Sequence, residues 1–125
     1  MSEIKHPVNW FEIPVKDLKR AKAFYEKLFG IPLTVVEMDE SKMAMFSMTM
    51  GAPGIAGSLV AAPGYEPSKS GTVIYFSVPD IEATLALAEQ NGGKTLIPKT
   101  NIGQYGFFAH FEDTEGNRLA LHTMA

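Results

Sequence analysis

Cysteine is absent from the 125-residue sequence. Disulfide bonds, zinc–thiolate sites and thiol nucleophiles are therefore excluded. No apolar run approaches the ~18–20 residues that a membrane-spanning helix needs, and residues 1–5 lack the apolar core of a signal peptide. Basic residues do not cluster, and the formal net charge is -3. We therefore predict a cytoplasmic protein that binds neither nucleic acid nor membranes.

What the sequence does contain is an internal repeat. Residues 10–17 and 73–80 both end in Val-x-Asp followed by an apolar residue, at an offset of 80 − 17 = 63. Hydrophobic residues make up 46% of the chain and charged residues 20%, which is typical of a globular domain. We predict a single domain over residues 1–125 that consists of module one (1–63), a Pro/Gly-rich linker (64–70) and module two (71–125).

Each module has the pattern strand, helix, strand, strand, strand. Asp17 is a suitable N-cap for the first helix, and Gly30 is placed to end it; the second helix is expected from Ile81 to Asn91. A four-stranded sheet with one helix leaves one face bare, and two such sheets can curl around a common space. The predicted fold class is α+β, with two βαβββ modules forming an incompletely closed eight-stranded barrel around a ligand cavity.

Five stretches, distributed between residues 15 and 118, carry a resemblance to a known family. They are Val15–Tyr25, Leu28–Gly30, Phe76–Ile81, Asp113–Arg118 and Pro98–Gly106. With these stretches the chain resembles the vicinal oxygen chelate superfamily, which includes glyoxalase I, bleomycin-resistance proteins and extradiol dioxygenases, and the resemblance extends over essentially the whole chain. The stretch Pro98–Gly106 is similar to an uncharacterised glyoxalase-like branch.

The resemblance implies a divalent metal held by His, Gln or Glu at four strand positions. In this sequence those positions are Trp10, Gly57, Val73 and Ala120. None of these side chains can coordinate a divalent cation. We therefore expect no metal cofactor. A displaced site made by Glu12, His110 and His122 is the alternative.

Strand alternation places a carboxylate beside Trp10 on the cavity face, because Glu12 lies two residues further along the strand. The same reasoning places His122 with Ala120. A carboxylate in apolar surroundings has a raised pKa and can act as a general base, and His122 could be its acid partner. Glu12 could instead recognise a cationic or hydroxylated ligand, or pair with an Arg or Lys, such as Arg20 or Lys99, and only stabilise the fold.

Other candidate ligand contacts come from a methionine cluster, a loop and the second module. Met45 belongs to a cluster with Met38, Met43, Met48 and Met50, which suits either a varied apolar ligand or ordinary packing. Lys99 and Tyr105 lie in a predicted glycine-bounded loop (Lys99–Gly106) that could be a lid or a plain turn. The residues predicted to contact the ligand are Trp10, Met45, Tyr75, Ser77, Lys99, Tyr105 and His110, the last being either packed or facing the cavity.

Three functions are compatible with these residues. The first is a metal-independent protein that binds a small apolar or aromatic molecule. The second is a metal-independent lyase or isomerase with Glu12 as base, and the third is a metal-dependent glyoxalase or dioxygenase with shifted ligands. We also expect a homodimer, because the resemblance implies pairing of modules across chains and because curled half-barrels leave sheet edges to be covered.

Overall fold

The order of strands and helices repeats once along the chain. The computed structural model describes residues 6–47, 49 and 51–125. No helix in these ranges has both the length and the hydropathy needed to cross a membrane. The elements are β1 (Phe11–Pro14), α1 (Leu18–Phe29), β2 (Thr34–Met38), β3 (Ser41–Met45), β4 (Gly57–Ala61), β5 (Tyr75–Ser77), α2 (Ile81–Gln90), β6 (Lys94–Asn101), a short 3-10 helix (Gly103–Tyr105), β7 (Phe107–Glu112) and β8 (Arg118–Thr123).

Local capping chemistry sets the ends of the helices. The carboxylate of Asp17 accepts from the backbone N–H of Arg20 at 3.1 Å, and that of Asp80 accepts from Ala83 at 3.0 Å. Each satisfies one of the unpaired N–H groups at a helix start. Gly30 ends α1 in the left-handed region, at φ 67, where the absence of a Cβ removes the steric penalty. The predicted ends of α1 are confirmed.

The strands form two separate four-stranded sheets, ordered β1-β4-β3-β2 and β5-β8-β7-β6. In each sheet the first strand of the module pairs in parallel with the last, and the remaining pairs are antiparallel. The two sheets do not close into a barrel. The predicted α+β class, with two βαβββ modules and an incompletely closed barrel, is confirmed.

Aromatic rings join the two modules on the helix side of the sheets. The ring of Phe76 in module two lies 5.8 Å from that of Phe11 and 4.8 Å from that of Phe29, both in module one. Buried Phe24 and Tyr25 of α1 continue this core at 5.1 Å from each other. The burial of these rings stabilises the junction between modules within one chain.

The repeat offset changes by one residue in the last strand of each module. Glu12 pairs with Ser58, whereas Tyr75, which is 75 − 12 = 63 residues further on, pairs with Ala120. The counterpart of Ala120 is therefore Ser58, at an offset of 120 − 58 = 62. The prediction that Gly57 occupies the cavity face is wrong. Gly57 lies against Phe11 on the helix side, where an added Cβ would collide with the Phe11 carbonyl oxygen.

Two further predictions concern the segment around Lys99 and the methionine cluster. Lys99 is a strand residue and not part of a loop, because β6 continues through Asn101 and pairs with β7. Residues 102–106 lie between β6 and β7, and Gly103–Tyr105 among them form a 3-10 turn. Met48 and Met50 of the predicted methionine cluster lie outside the described residues.

Candidate functional site

The open sheet face of module two brings together four of the residues predicted to contact a ligand or to take part in catalysis. Tyr75 and His110 flank Ala120 in one cross-strand row, and Ser77 pairs with His122 in the next. Paired residues of adjacent strands point to the same face of a sheet. Tyr75, Ser77, His110 and His122 therefore share one surface.

His110 forms two hydrogen bonds on this face. Its Nε2 lies 3.1 Å from the Tyr75 hydroxyl, and its Nδ1 lies 2.9 Å from the guanidinium of Arg118. Partial burial, followed by the charge of Arg118, lowers the pKa of His110 below its ordinary value. Arg118 is a contact that sequence reasoning missed. Its position two residues before Ala120 was the available signal, since alternation puts both residues on one face.

His122, Tyr105 and Lys99 are engaged in other contacts. The Nε2–H of His122 donates to the Tyr105 backbone carbonyl at 2.7 Å, because a carbonyl can only accept. The Tyr105 side chain itself is exposed. The ammonium of Lys99 lies 4.6 Å from the ring centroid of Phe107, a cation–π contact with a ring that packs against the core.

Glu12 is exposed rather than enclosed by apolar side chains. Its Oε1 accepts a 2.7 Å hydrogen bond from the hydroxyl of Tyr65 in the linker, and this bond, together with the carboxylate charge, raises the pKa of Tyr65. Arg20 pairs with Glu115 and Lys99 lies over the Phe107 ring, so the predicted pairing of Glu12 with either of them is wrong. Met45 shares a cross-strand row with Glu12, since both pair with Ser58.

A cavity of about 920 Å³ opens at one end of the junction between the modules. We call it the junction cavity. One wall is the start of α2, with Asp80 and Ala83, and residues 51–56 before β4 form another. Among the residues that line the cavity, sequence reasoning proposed only Trp10 and Ser77 as ligand contacts. The aromatic lining is therefore more extensive than predicted. The aromatic residues that line it are Trp10, Phe11, Phe29, Phe46 and Phe76.

The opposite end of the junction is filled by the turn 113–117. The carboxylate of Glu115 accepts from the backbone N–H groups of Lys16 and Asp17, each at 2.8 Å, and pairs with Arg20 at 2.8 Å. Its side chain has no solvent exposure. Burial alone would raise the pKa of Glu115, but the hydrogen bonds from Arg20, Asp17 and Lys16 outweigh it and hold the pKa below its usual value.

A second set of buried hydrogen bonds supports this turn. The Tyr25 hydroxyl donates to Asp113 at 2.7 Å, and the Asn117 amide donates to the Pro14 carbonyl at 2.7 Å. Burial, reinforced by the negative charge of Asp113, raises the pKa of Tyr25 well above its usual range. Asp113 also accepts from the backbone N–H groups of Glu115 and Asn117. The turn therefore ties module two to β1 and α1.

The strand positions that the family resemblance assigns to a metal do not fit one. Trp10, Val73 and Ala120 lack a side-chain lone pair suited to a divalent cation, and the corrected fourth position is Ser58 rather than an imidazole or carboxylate. Across 6–47, 49 and 51–125, no three His, Asp or Glu side chains lie close enough together to hold a metal ion. The displaced site of Glu12, His110 and His122 is therefore not assembled in this structure.

Sequence comparisons match the chain to one family over most of its length. The model of the Glyoxalase/Bleomycin resistance protein/Dioxygenase superfamily matches residues 7–121. A glyoxylase-like domain-containing protein from Didymella fabae is 34% identical over 122 residues, covering 93% of this chain and 92% of that protein. The putative glyoxylase CFP32 of Mycobacterium bovis is 24% identical over 90% of this chain, which spans 44% of that protein.

Solved structures agree with this assignment. TnmS3, an antibiotic binding protein from Streptomyces sp. CB03234, superposes with a TM-score of 0.67 at 25% identity, with 100% of both chains covered. A mutant glyoxalase I from Zea mays shares the fold at a TM-score of 0.69 and 20% identity, covering 99% of this chain and 48% of that one. The chain belongs to the Glyoxalase/Bleomycin resistance protein/Dioxygenase superfamily.

Proposed function

We propose that this protein binds a small apolar or aromatic molecule in the junction cavity, without a divalent metal. The observation that carries the proposal is the cavity of about 920 Å³ walled by aromatic rings. Small-molecule sites have volumes of ~300–1,000 Å³, with mostly apolar walls and a few polar groups. The junction cavity has these properties, with Ser77 and Asp80 among the polar residues that line it.

The aromatic walls favour a planar ligand. Phe11 and Phe46 pack at a centroid distance of 5.5 Å with their ring planes at 53°, so aromatic rings of different tilt border one space. A ligand ring can stack on one of these rings and meet another edge-on, which are the arrangements that aromatic pairs prefer. Fused aromatic compounds and aromatic antibiotics are the chemical class that this lining suits best.

One structural relative supports binding rather than catalysis. TnmS3 is an antibiotic binding protein that this chain matches over its full length. The residues proposed for metal-independent catalysis are used in other contacts, since Glu12 accepts from Tyr65 and His122 donates to Tyr105. The catalytic roles of Glu12 and His122 stay predictions, as does the cytoplasmic location.

We also propose a homodimer. The edge strand β2 exposes Val35 and Met38, at 48% and 54% of their surface. Exposed apolar side chains on an edge strand favour association with another chain. Sedimentation equilibrium would test this point separately from ligand binding.

Fluorescence titration tests the binding proposal directly. Trp10 is the single tryptophan of the sequence and lines the cavity, so we expect a neutral aromatic probe such as N-phenyl-1-naphthylamine to change its emission. The variant Ala83→Leu places a larger side chain in the cavity and should weaken binding at least about tenfold, equivalent to about 1.4 kcal/mol. Ala86→Leu, which makes the same change on an exposed part of α2, is the matched control.

The result that would contradict the proposal is equal probe affinity in wild type, Ala83→Leu and Ala86→Leu. Titrations with and without EDTA test whether binding depends on a metal, and we expect identical curves. If a substrate is found, its turnover by Glu12→Gln would decide the lyase or isomerase alternative, since a general base cannot be replaced by an amide.

A further inference from the structure

A hydrogen-bond chain on the open face of module two points to a second ligand contact. It consists of Arg118, His110 and Tyr75, and it does not involve the junction cavity. The guanidinium of Arg118 lies 2.9 Å from Nδ1 of His110, and Nε2 of the same ring lies 3.1 Å from the Tyr75 hydroxyl. Packing holds the imidazole between two rings, because it meets Phe108 edge-on at 5.4 Å and Tyr75 edge-on at 5.7 Å.

The direction of this chain follows from the chemistry of its members. Arginine has donors and no acceptor, so Nδ1 of His110 must be the unprotonated nitrogen. A neutral imidazole carries one proton, which is therefore on Nε2 and is donated to the oxygen of Tyr75. Arg118 is itself oriented by a 3.2 Å bond from its Nε to the Lys69 carbonyl.

The hydroxyl proton of Tyr75 is consequently free to be donated elsewhere. The side chain is 51% exposed on the sheet face that also carries Ser77 and His122. A hydroxyl that accepts a hydrogen bond becomes a better donor, because successive hydrogen bonds polarise one another. The positive charge of Arg118, at the other end of the hydrogen-bond chain, also favours electron-rich partners for the Tyr75 hydroxyl.

We propose that Tyr75 is a hydrogen-bond donor for a carbonyl or carboxylate oxygen of a ligand on this face, with Arg118 and His110 as positioning residues. The oxygen could belong to a neutral carbonyl compound or to an aromatic acid, and the experiment separates these sources. Aliphatic or aromatic hydrocarbons without an acceptor gain nothing from this contact.

Nitrogen-15 NMR of the histidine side chains tests the donor-to-acceptor direction of the hydrogen-bond chain. We expect His110 to be neutral with its proton on Nε2, and we expect Arg118→Met to produce a mixture of tautomers because the donor to Nδ1 is gone. A proton on Nδ1 in the wild type would overturn the proposal, since Tyr75 would then have to donate to His110.

Ligand titrations in the Ala83→Leu background test the contact itself, with binding in the junction cavity weakened. The probes are acetophenone, benzoate and ethylbenzene, and the readout is the chemical shift of the His110 ring protons. Tyr75→Phe should weaken acetophenone, benzoate or both about five- to tenfold, as the loss of one hydrogen bond does, and should leave ethylbenzene unchanged. The acceptor that loses affinity identifies the ligand class.

Tyr65→Phe is the matched control, because the Tyr65 hydroxyl is already donated to Glu12. Unchanged affinity of Tyr75→Phe for both acceptor probes, or no shift of His110 with either probe, would overturn the proposal. Because His110 and Tyr75 do not line the junction cavity, such a failure would leave the proposed function standing. Loss of Trp10 response to the neutral aromatic probe would contradict only the proposed function.

Discussion

The two ends of the module junction are made from equivalent elements but are filled differently. At the closed end, the turn 113–117 inserts Glu115 against the start of α1, where it binds two backbone N–H groups and Arg20. At the open end, the equivalent start of α2 has Pro79 and Ala83 at the positions of Lys16 and Arg20, at offsets of 79 − 16 = 63 and 83 − 20 = 63. Proline has no N–H and alanine has no charge to offer a carboxylate.

This difference explains why one end is filled and the other retains a cavity. A buried carboxylate needs several donors to offset its loss of hydration. The closed end provides them and the open end does not, so the longer connection before β4 borders the cavity instead of filling it. The repeat thus allows the two ends to be compared within one molecule. The closed end shows how side chains of the protein itself can fill the space that remains a cavity at the open end.

The largest expected effect comes from truncating the matching phenylalanines at the two ends. Phe46 and Phe111 follow Met45 and His110, which pair with the equivalent residues Ser58 and Ala120. Phe111→Ala should cost about 3–5 kcal/mol of unfolding free energy, as truncation of a buried aromatic residue does. Phe46→Ala should cost about 1–2 kcal/mol less, because its ring already borders a cavity.

Urea unfolding followed by circular dichroism measures both values. Equal losses for the two variants would mean that the junction cavity closes around Phe46 in solution. The slope of unfolding free energy against urea should be unchanged in both variants, since neither alters the surface exposed on unfolding appreciably.

A medium effect is expected from adding volume at each end. Ala21 is fully buried in the first turns of α1 near the closed end, so Ala21→Leu should destabilise the fold by about 1–3 kcal/mol through overpacking. Ala83→Leu at the open end has room in the cavity, so its effect should stay within about 0.5 kcal/mol. Thermal unfolding of the pair distinguishes them, and a destabilised Ala83→Leu would show that the cavity has no space for a side chain.

The smallest effect concerns the pH dependence of stability at the closed end. The hydrogen bonds to Glu115 keep its pKa in the folded protein below its usual value, despite burial. Its contribution is therefore fully present above the unfolded-state pKa of about 4.3 and is lost as pH falls through the folded-state pKa. Glu115→Gln should lose less stability than wild type on acidification.

Urea unfolding at a series of pH values from neutral to acid measures this slope. Glu66→Gln is the control, because Glu66 forms an exposed ion pair with Lys16, a type of pair that contributes little. A slope for Glu115→Gln as steep as that of the wild type would place the pH-sensitive group elsewhere.

Sequence reasoning succeeded where structure depends on local chemistry. Both helix starts follow from aspartates that cap nearby N–H groups, and the end of α1 follows from a glycine in the left-handed region. It failed at Gly57, because strand register depends on the lengths of preceding connections, and a slip of one residue moves a side chain to the other face. Lys99 was misplaced for a similar reason, since pairing with β7 extends β6.

The candidate sites were only partly predictable for the same physical reason. Strand alternation correctly put Tyr75, Ser77 and His122 on one face, but the partners of their side chains come from distant segments. Arg118 reaches His110 only because β7 and β8 pair in one register. The linker residue Tyr65 reaches Glu12 across the fold, over a separation that no local pattern encodes.

Composition, the repeat and the capping residues were enough to derive two βαβββ modules, because these features arise from short-range periodicity and from residue types that restrict the backbone. Only the tertiary structure showed that one end of the module junction is filled and that the other end keeps a cavity. Whether a carboxylate meets several donors or an aromatic cavity stays open is a matter of which remote groups come within about 3 Å of one another, and that proximity is a property of the tertiary packing.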